Sequence, residues 1–403
     1  MKPRSKLVIP LIIMLIVSVG FAISAVVPKL IAEESLANES SDTINQNYES
    51  EVGNSNPQVT SGIHFSSYEE QEKYINELMK NFSETSVVEQ IEIPIVQKQD
   101  NEAVVPRNTP KYKNQFIAIS FDGSYSQPRW KSLLKFSNEQ ELLGTNIHFT
   151  FFVSGVYLLS NSQKYSYTPP RLQQGKSNIG FGGNAKEINE RFAIIEETSA
   201  DGHEIASHAN GHYGGSLWTY DEWMSEFSQF TTFISPITIP PVKGFRAPLL
   251  ETNRSMYEAL KNIGFTYDAS GVADMNTAPR KDGFGIWHFP LVFLKLGNKN
   301  TLSMDYNHYI AQTQGQNILK KETLEWQHAY DEVYNSYISY FEHNYNSHRI
   351  PLNIGHHFSL WNDGVYYEAL LDFAETVCGK PDVICGTYSE LVHLLEANNL
   401  WFR

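Results

Sequence analysis

From about residue 106 onward the chain alternates short apolar runs with longer amphipathic stretches, a texture that few folds accommodate. The runs are Phe116-Ile117-Ala118-Ile119, Ile147-His148-Phe149-Thr150-Phe151-Phe152, Glu204-Ile205-Ala206, Val242-Lys243-Gly244-Phe245, Phe265-Thr266-Tyr267, Trp287-His288-Phe289 and Leu352-Asn353-Ile354. Runs this short, without strict alternation, fit strands buried on both faces. Between several of them lie Arg129–Leu143, Glu187–Ser199, Asn253–Ile263 and Tyr366–Val377, which have amphipathic helical character. Strand–helix–strand alternation predicts an α/β fold with a parallel sheet, and about seven such units predict a distorted (β/α) barrel. Residues 158–185 and 296–318 read as inserted surface loops.

The region before this domain has a different character. Leu7 to Val27 is an uncharged run of 21 residues preceded by Lys2, Arg4 and Lys6. A helix of that length spans a hydrocarbon core of about 30 Å, and the preceding positive charge predicts a cytoplasmic N-terminus with everything downstream outside. A signal peptide cleaved near Ala22-Ile23-Ser24-Ala25 is the rival reading, with secretion as its outcome. Residues 33–105 hold 15 acidic and 3 basic side chains, and their Ser-, Asn- and Glu-rich first half reads as a flexible stalk. Within it, Tyr74, Leu78 and Phe82 recur every four positions and suggest a short helix over Tyr68 to Phe82. The expected organisation is therefore 1–32 basic segment and anchor, 33–105 stalk, and 106–403 globular domain.

The formal charge of −14 comes mainly from the stalk, since residues 106–403 hold 30 acidic and 24 basic groups. No basic stripe is present to neutralise phosphates, which excludes nucleic acid as a partner. Cys378 and Cys385 can close a small disulfide loop in an oxidising compartment, or stand as two buried thiols.

The polar motifs gather at the ends of the apolar runs. Ser120-Phe121-Asp122-Gly123-Ser124 places a carboxylate at a strand end before a turn, which in a barrel is the catalytic rim. In His203-Glu204-Ile205-Ala206-Ser207-His208-Ala209-Asn210-Gly211-His212, the four-residue spacing of His208 and His212 sets two imidazoles on one side of a helical turn, where they can share a divalent metal. Gly244-Phe245-Arg246-Ala247-Pro248 supplies an arginine whose natural partner is Asp122. Tyr267-Asp268 ends the next strand, and Gly355-His356-His357-Phe358 ends a late one, placing an imidazole where a general acid is useful.

This order of motifs resembles the NodB-type polysaccharide deacetylases, carbohydrate esterase family 4, over about residues 114–395. The resemblance implies a distorted (β/α) barrel with a divalent metal, usually zinc, that removes acetyl groups from chitin-like, peptidoglycan or other amino-sugar polymers. It implies Asp122 as base, His208 and His212 as metal ligands, Arg246 as the residue orienting Asp122, and His357 as acid, with His356 as alternate. Trp218, Trp223 and Trp361 could stack on sugars or pack internally, and Pro248 would border the substrate. Two positions depart from the family pattern. Gly123 stands where a second carboxylate usually completes the metal site, and Leu249 stands where an aromatic is common. The expected activity is metal-dependent deacetylation of an envelope or extracellular polysaccharide. The alternatives are a surface carbohydrate-binding protein that has lost turnover, or hydrolysis of another amide or ester.

Overall fold

The computed structural model describes residues 110–397. The anchor, the stalk and the helix expected at Tyr68 to Phe82 lie outside the described residues. Among those described, no helix is long and apolar enough to cross a membrane.

The strands are β1 (Gln115–Gly123), β2 (Phe149–Val153), β3 (Glu204–Ser207), β4 (Gly244–Phe245), β5 (Tyr267–Asp268), β6 (Val272–Ala273), β7 (Arg280–Lys281), β8 (Trp287–His288), β9 (Leu291–Leu296), β10 (Lys299–Leu302), β11 (Leu352–His357) and β12 (Val383–Cys385). The helices are α1 (Gln127–Leu142), α2 (Ala185–Ala200), α3 (Tyr220–Ile234), α4 (Arg254–Ile263), α5 (Asp305–Thr313), α6 (Leu324–Tyr345), α7 (Trp361–Cys378) and α8 (Tyr388–Glu396).

The main sheet runs β11-β1-β2-β3-β4-β5-β8-β7, with β12 also pairing β1. All its pairings are parallel except the terminal β7–β8 pair. Each of the seven apolar runs overlaps one of its strands. The sheet does not close into the expected barrel by strand pairing. β8 turns outward to β7, while a separate β10-β9-β6 sheet approaches β11 through a single Met304–Gly355 bridge. The physical reason is local: the 291–302 segment forms its own antiparallel hairpin, which satisfies its backbone without joining the main ladder.

Burial follows the parallel-sheet logic. Every side chain of β2 and all but the last of β1 are buried, because α1, α2, α6 and α7 contribute to a core that includes Ile119, Phe121, Phe149, Phe151, Leu370 and Phe373. Helix starts are encoded nearby. Asn184 with Glu187, Thr219 with Glu222, and Thr387 with Glu390 form reciprocal capping boxes that satisfy otherwise unpaired N–H groups. Gly264, at φ +84°, ends α4 in the left-handed conformation that glycine adopts without cost.

Of the two expected surface loops, 158–185 is largely irregular and exposed, whereas 296–318 is not a loop. Residues 158–185 begin in two 3-10 turns and bury Tyr167 completely, and 296–318 contains β10 and α5. Cys378 and Cys385 are joined as a disulfide, which ties the end of α7 to β12.

Candidate active site

Asp122 sits one residue before the end of β1 and is 3% exposed. Its register partners are His357 on β11 and Phe152 on β2. Gly123 at φ +93° and Ser124 at φ +66° then turn the chain away. Arg246, directly after β4, reaches across the sheet end, and its Nη1 donates to Asp122 Oδ1 at 2.8 Å and to Ser120 Oγ at 2.9 Å. Its Nε donates to Ala269 O at 3.0 Å, its Nη2 to the Tyr388 hydroxyl at 3.3 Å, and its guanidinium lies 4.4 Å from the Phe152 ring centre. Burial works against the Arg246 charge, but Asp122 together with the Tyr388 and Tyr267 hydroxyls outweighs it and raises the guanidinium above its ordinary value. The expected Asp122–Arg246 pair is present, and Arg246 fixes which way the carboxylate faces.

His208 follows β3, and its Nδ1 lies 2.8 Å from Arg246 O. An N–H donated there leaves Nε2 with its lone pair, the arrangement seen behind metal-bound imidazoles. The His212 ring centre is 5.2 Å away. Burial depresses both imidazoles, His212 to about 3, so each is neutral and able to coordinate. The helical turn expected over this motif is absent: 208–212 is an irregular loop in which Ala209 and His212 hold φ of +53° and +58°. The two imidazoles are brought together by that loop rather than by helical periodicity.

As donor chemistry the pair fits a divalent cation. Among the described residues no group of three or more His, Cys, Asp or Glu gathers as a metal cluster. A Cβ at Gly123 would meet nothing within 4 Å, so the position of the missing carboxylate is open space.

His357 ends β11, and it is Asp305 at the start of α5 that holds it. His357 Nδ1 is 2.7 Å from Asp305 Oδ1, and its backbone N–H donates to Asp305 Oδ2 at 2.9 Å. Burial lowers the His357 pKa, but the Asp305 charge and hydrogen bond outweigh it and raise it overall. Asp305 is only 2% exposed, yet the two neighbouring imidazoles, His357 first, overcome its burial and hold its carboxyl down at about 2. His357 is 29% exposed and acts electrostatically on both His208 and His212. The pleat gives the adjacent histidines different surroundings: His356 is 1% exposed, faces the core and shares a hydrogen bond of 2.9 Å with the Tyr337 hydroxyl. Burial lowers its pKa to about 4. Sequence reasoning misses Asp305 because 296–318 reads as a loop; the available signal is an acidic residue opening an amphipathic segment. Asp268 does not serve His357. It accepts from Ser270 and Tyr257, with His288 nearby.

Two oppositely furnished groups thus share one rim: a carboxylate paired with arginine, able to accept a proton, and an imidazole paired with aspartate, able to donate one. Residues 109–267 match the model of the polysaccharide deacetylase family. Over these residues the chain is similar to the polysaccharide deacetylases. No curated protein matches it. Among solved structures, it is similar to a polysaccharide deacetylase from Mycobacterium smegmatis at 17% identity, covering 72% of this chain and 92% of that one with a TM-score of 0.48. It is also similar to the chitin deacetylase of Colletotrichum lindemuthianum, at 15% identity, 73% and 93% coverage and a TM-score of 0.40. A third is an acetyl xylan esterase from Clostridium thermocellum solved with cobalt, at 16% identity, 69% and 91% coverage and a TM-score of 0.40.

The deacetylase match takes in Asp122, His208, His212 and Arg246 and ends before Asp305 and His357. The expected substrate contacts need correcting. Trp218 is 6% exposed and packs edge-on to Trp223 at 4.7 Å in a satellite core with Phe227 and Phe245, and Pro248 is buried in a 3-10 turn. Neither offers a face to a sugar. Trp361 is nearer the chemistry, 5.4 Å from the His357 ring, but its face is stacked on Tyr309 at 5.0 Å. Exposed apolar side chains close to the site motifs in sequence are instead Tyr125, Leu249 and Leu360, which follow Asp122, Arg246 and His357 by three residues each. Trp218→Ala is expected to cost about 3–5 kcal/mol through lost core packing. A depressed thermal midpoint with unchanged KM would check this, and a raised KM at full stability would contradict it.

Proposed function

We propose that this domain is a metal-assisted hydrolase that removes acetyl groups, N-acetyl in the first instance, from an envelope or extracellular polysaccharide. The observation that carries the reading is the register pairing of Asp122 with His357 at adjacent strand ends, each backed by its own opposite charge, Arg246 and Asp305. Asp122 takes a proton from the attacking water as its oxygen bonds to the acetyl carbon. A backbone N–H near Ser124 or Tyr213 receives the developing oxyanion. His357 then gives its proton to the departing amine, so that the C–N bond breaks and acetate and the free amino sugar leave. A divalent cation, zinc by preference, would be held by His208 and His212 and would supply Lewis-acid polarisation. Tyr125, Leu249 and Leu360 are the rim residues we assign to the sugar chain.

We further assign the domain to the outer side of a membrane, tethered by Leu7 to Val27 or released after cleavage. The Cys378–Cys385 disulfide favours an oxidising compartment. A second reading, a carbohydrate-binding protein without turnover, is favoured by one observation: Gly123 removes the usual carboxylate and leaves two clustered imidazoles. The test is acetate release from chitooligosaccharides and peptidoglycan fragments, together with bound-metal analysis. We expect release that stops with chelator and returns with zinc, and a His208→Ala variant that loses both metal and activity. A parent protein that binds glycan but releases no acetate with zinc present would establish the second reading.

A further inference from the structure

The 208–212 loop holds two non-glycine residues in left-handed backbone, Ala209 and His212. Such positions cost about 1–3 kcal/mol each and persist only where the surroundings over-determine them. Here the surroundings are identifiable. Gly155 N–H donates to Ala209 O at 2.8 Å, and Ala209 N–H to Ser207 Oγ at 3.2 Å. Asn210 N–H donates to Glu226 Oε1 at 2.9 Å, and its Nδ2 to Glu226 O at 2.8 Å. Gly211 N–H donates to the Tyr167 hydroxyl at 3.1 Å, and that hydroxyl in turn donates to the Glu226 carboxylate at 3.0 and 3.1 Å. Asn178 closes the far end, its N–H donating to Gly211 O at 2.9 Å and its Nδ2 to His212 O at 3.1 Å.

We propose that Tyr167 and Glu226 are positioning residues which brace this loop so that His208 and His212 are presented to a cation as a preset pair. The proposal rests on the metal-assisted reading above. Both side chains are fully buried, and Glu226 forms no ion pair among the described residues. A buried carboxylate without a cation is a costly way to fill space. Its place is explained by acceptors: it receives the Asn210 N–H and the tyrosine hydroxyl, which a leucine of similar size could not do. The glycine at 211 completes the arrangement, because a Cβ there would stand 2.7 Å from the Tyr167 ring and 2.8 Å from its hydroxyl. Residues 155–184, which carry Tyr167 and Asn178, are on this view a clamp on the histidine loop.

The test uses the full chain, stripped of metal and titrated with Co²⁺ while its d–d absorption is followed, with hydrogen exchange measured in parallel on the metal-free protein. Tyr167→Phe removes the shared hydroxyl and is expected to weaken Co²⁺ binding about 10–100-fold, the usual penalty for losing a support behind a ligand. Amides 209–212 should exchange faster while those of β1 and β2 do not. Glu226→Gln keeps an acceptor for the Asn210 N–H and should lose less affinity than Tyr167→Phe. It also decides the matter if the phenylalanine variant fails to fold. Parental Co²⁺ affinity in both variants, whatever happens to the thermal midpoint, would overturn the proposal and leave the pair a packing feature. A parent that takes up no Co²⁺ refutes the metal reading itself; the exchange experiment then judges the brace, and unchanged protection of 209–212 would overturn it.

Discussion

Asp122→Asn is expected to slow acetate release by about 10²–10⁴-fold while leaving bound metal in place, because it removes the proton acceptor and keeps the shape. The same change should lower stability. Arg246 is fully buried, and stripping the countercharge from a buried ion commonly costs about 3–5 kcal/mol. For a domain of this size that corresponds to a fall in thermal midpoint on the order of 10 °C, since each kcal/mol moves it by about 2–4 °C. The two effects separate in the double variant Asp122→Asn with Arg246→Met. Replacing the orphaned cation by an apolar side chain should recover much of the stability and none of the activity. Full activity in Asp122→Asn would remove Asp122 from the base role.

Asp305→Asn tests the other half of the site. Asp305 raises the His357 pKa, so its neutral replacement lets the imidazole lose its proton at lower pH. The alkaline limb of the kcat profile should therefore move toward acid, with acetate release falling about 10²-fold on that limb. Stability follows by linkage. The raised His357 contributes stabilisation that is complete below its unfolded value of about 6.5 and is lost as pH rises through its folded value. Asp305, held down at about 2, contributes above its unfolded value of about 3.9 and loses that contribution as pH falls toward 2. The parent should thus be stabilised over the variant between those limits, and the difference should narrow at both ends. An alkaline limb that stays in place in Asp305→Asn would assign the proton to a group other than His357.

The parts of the site legible in the amino-acid sequence are those written in short contiguous segments. Asp122 and Arg246 each end a strand-forming run, and although β2 and β3 separate their strands, the long guanidinium side chain crosses the sheet end to the carboxylate, and the two pair because both are withdrawn from water there. The HxxxH pair is recognisable by spacing, although the spacing suggests a helix and the chain builds a strained loop instead. That difference has a cause outside the motif: Tyr167, Asn178 and Glu226, from segments before and after it, hold the backbone where local preference would not.

Sequence alone determined the α/β class, the positions of seven strands of the main sheet, and the residues that end them, because alternation of apolar and amphipathic segments is a local property of the chain. It also marked Asp122, Arg246 and two histidines as the candidate site. Only the tertiary structure decided the rest. It opened the expected barrel, buried Trp218 and Pro248, distinguished His357 from His356, and brought Asp305 to His357 across 52 residues of chain. These depend on which faces of distant segments meet, and that meeting is set by packing the whole core at once rather than by any run of neighbouring residues.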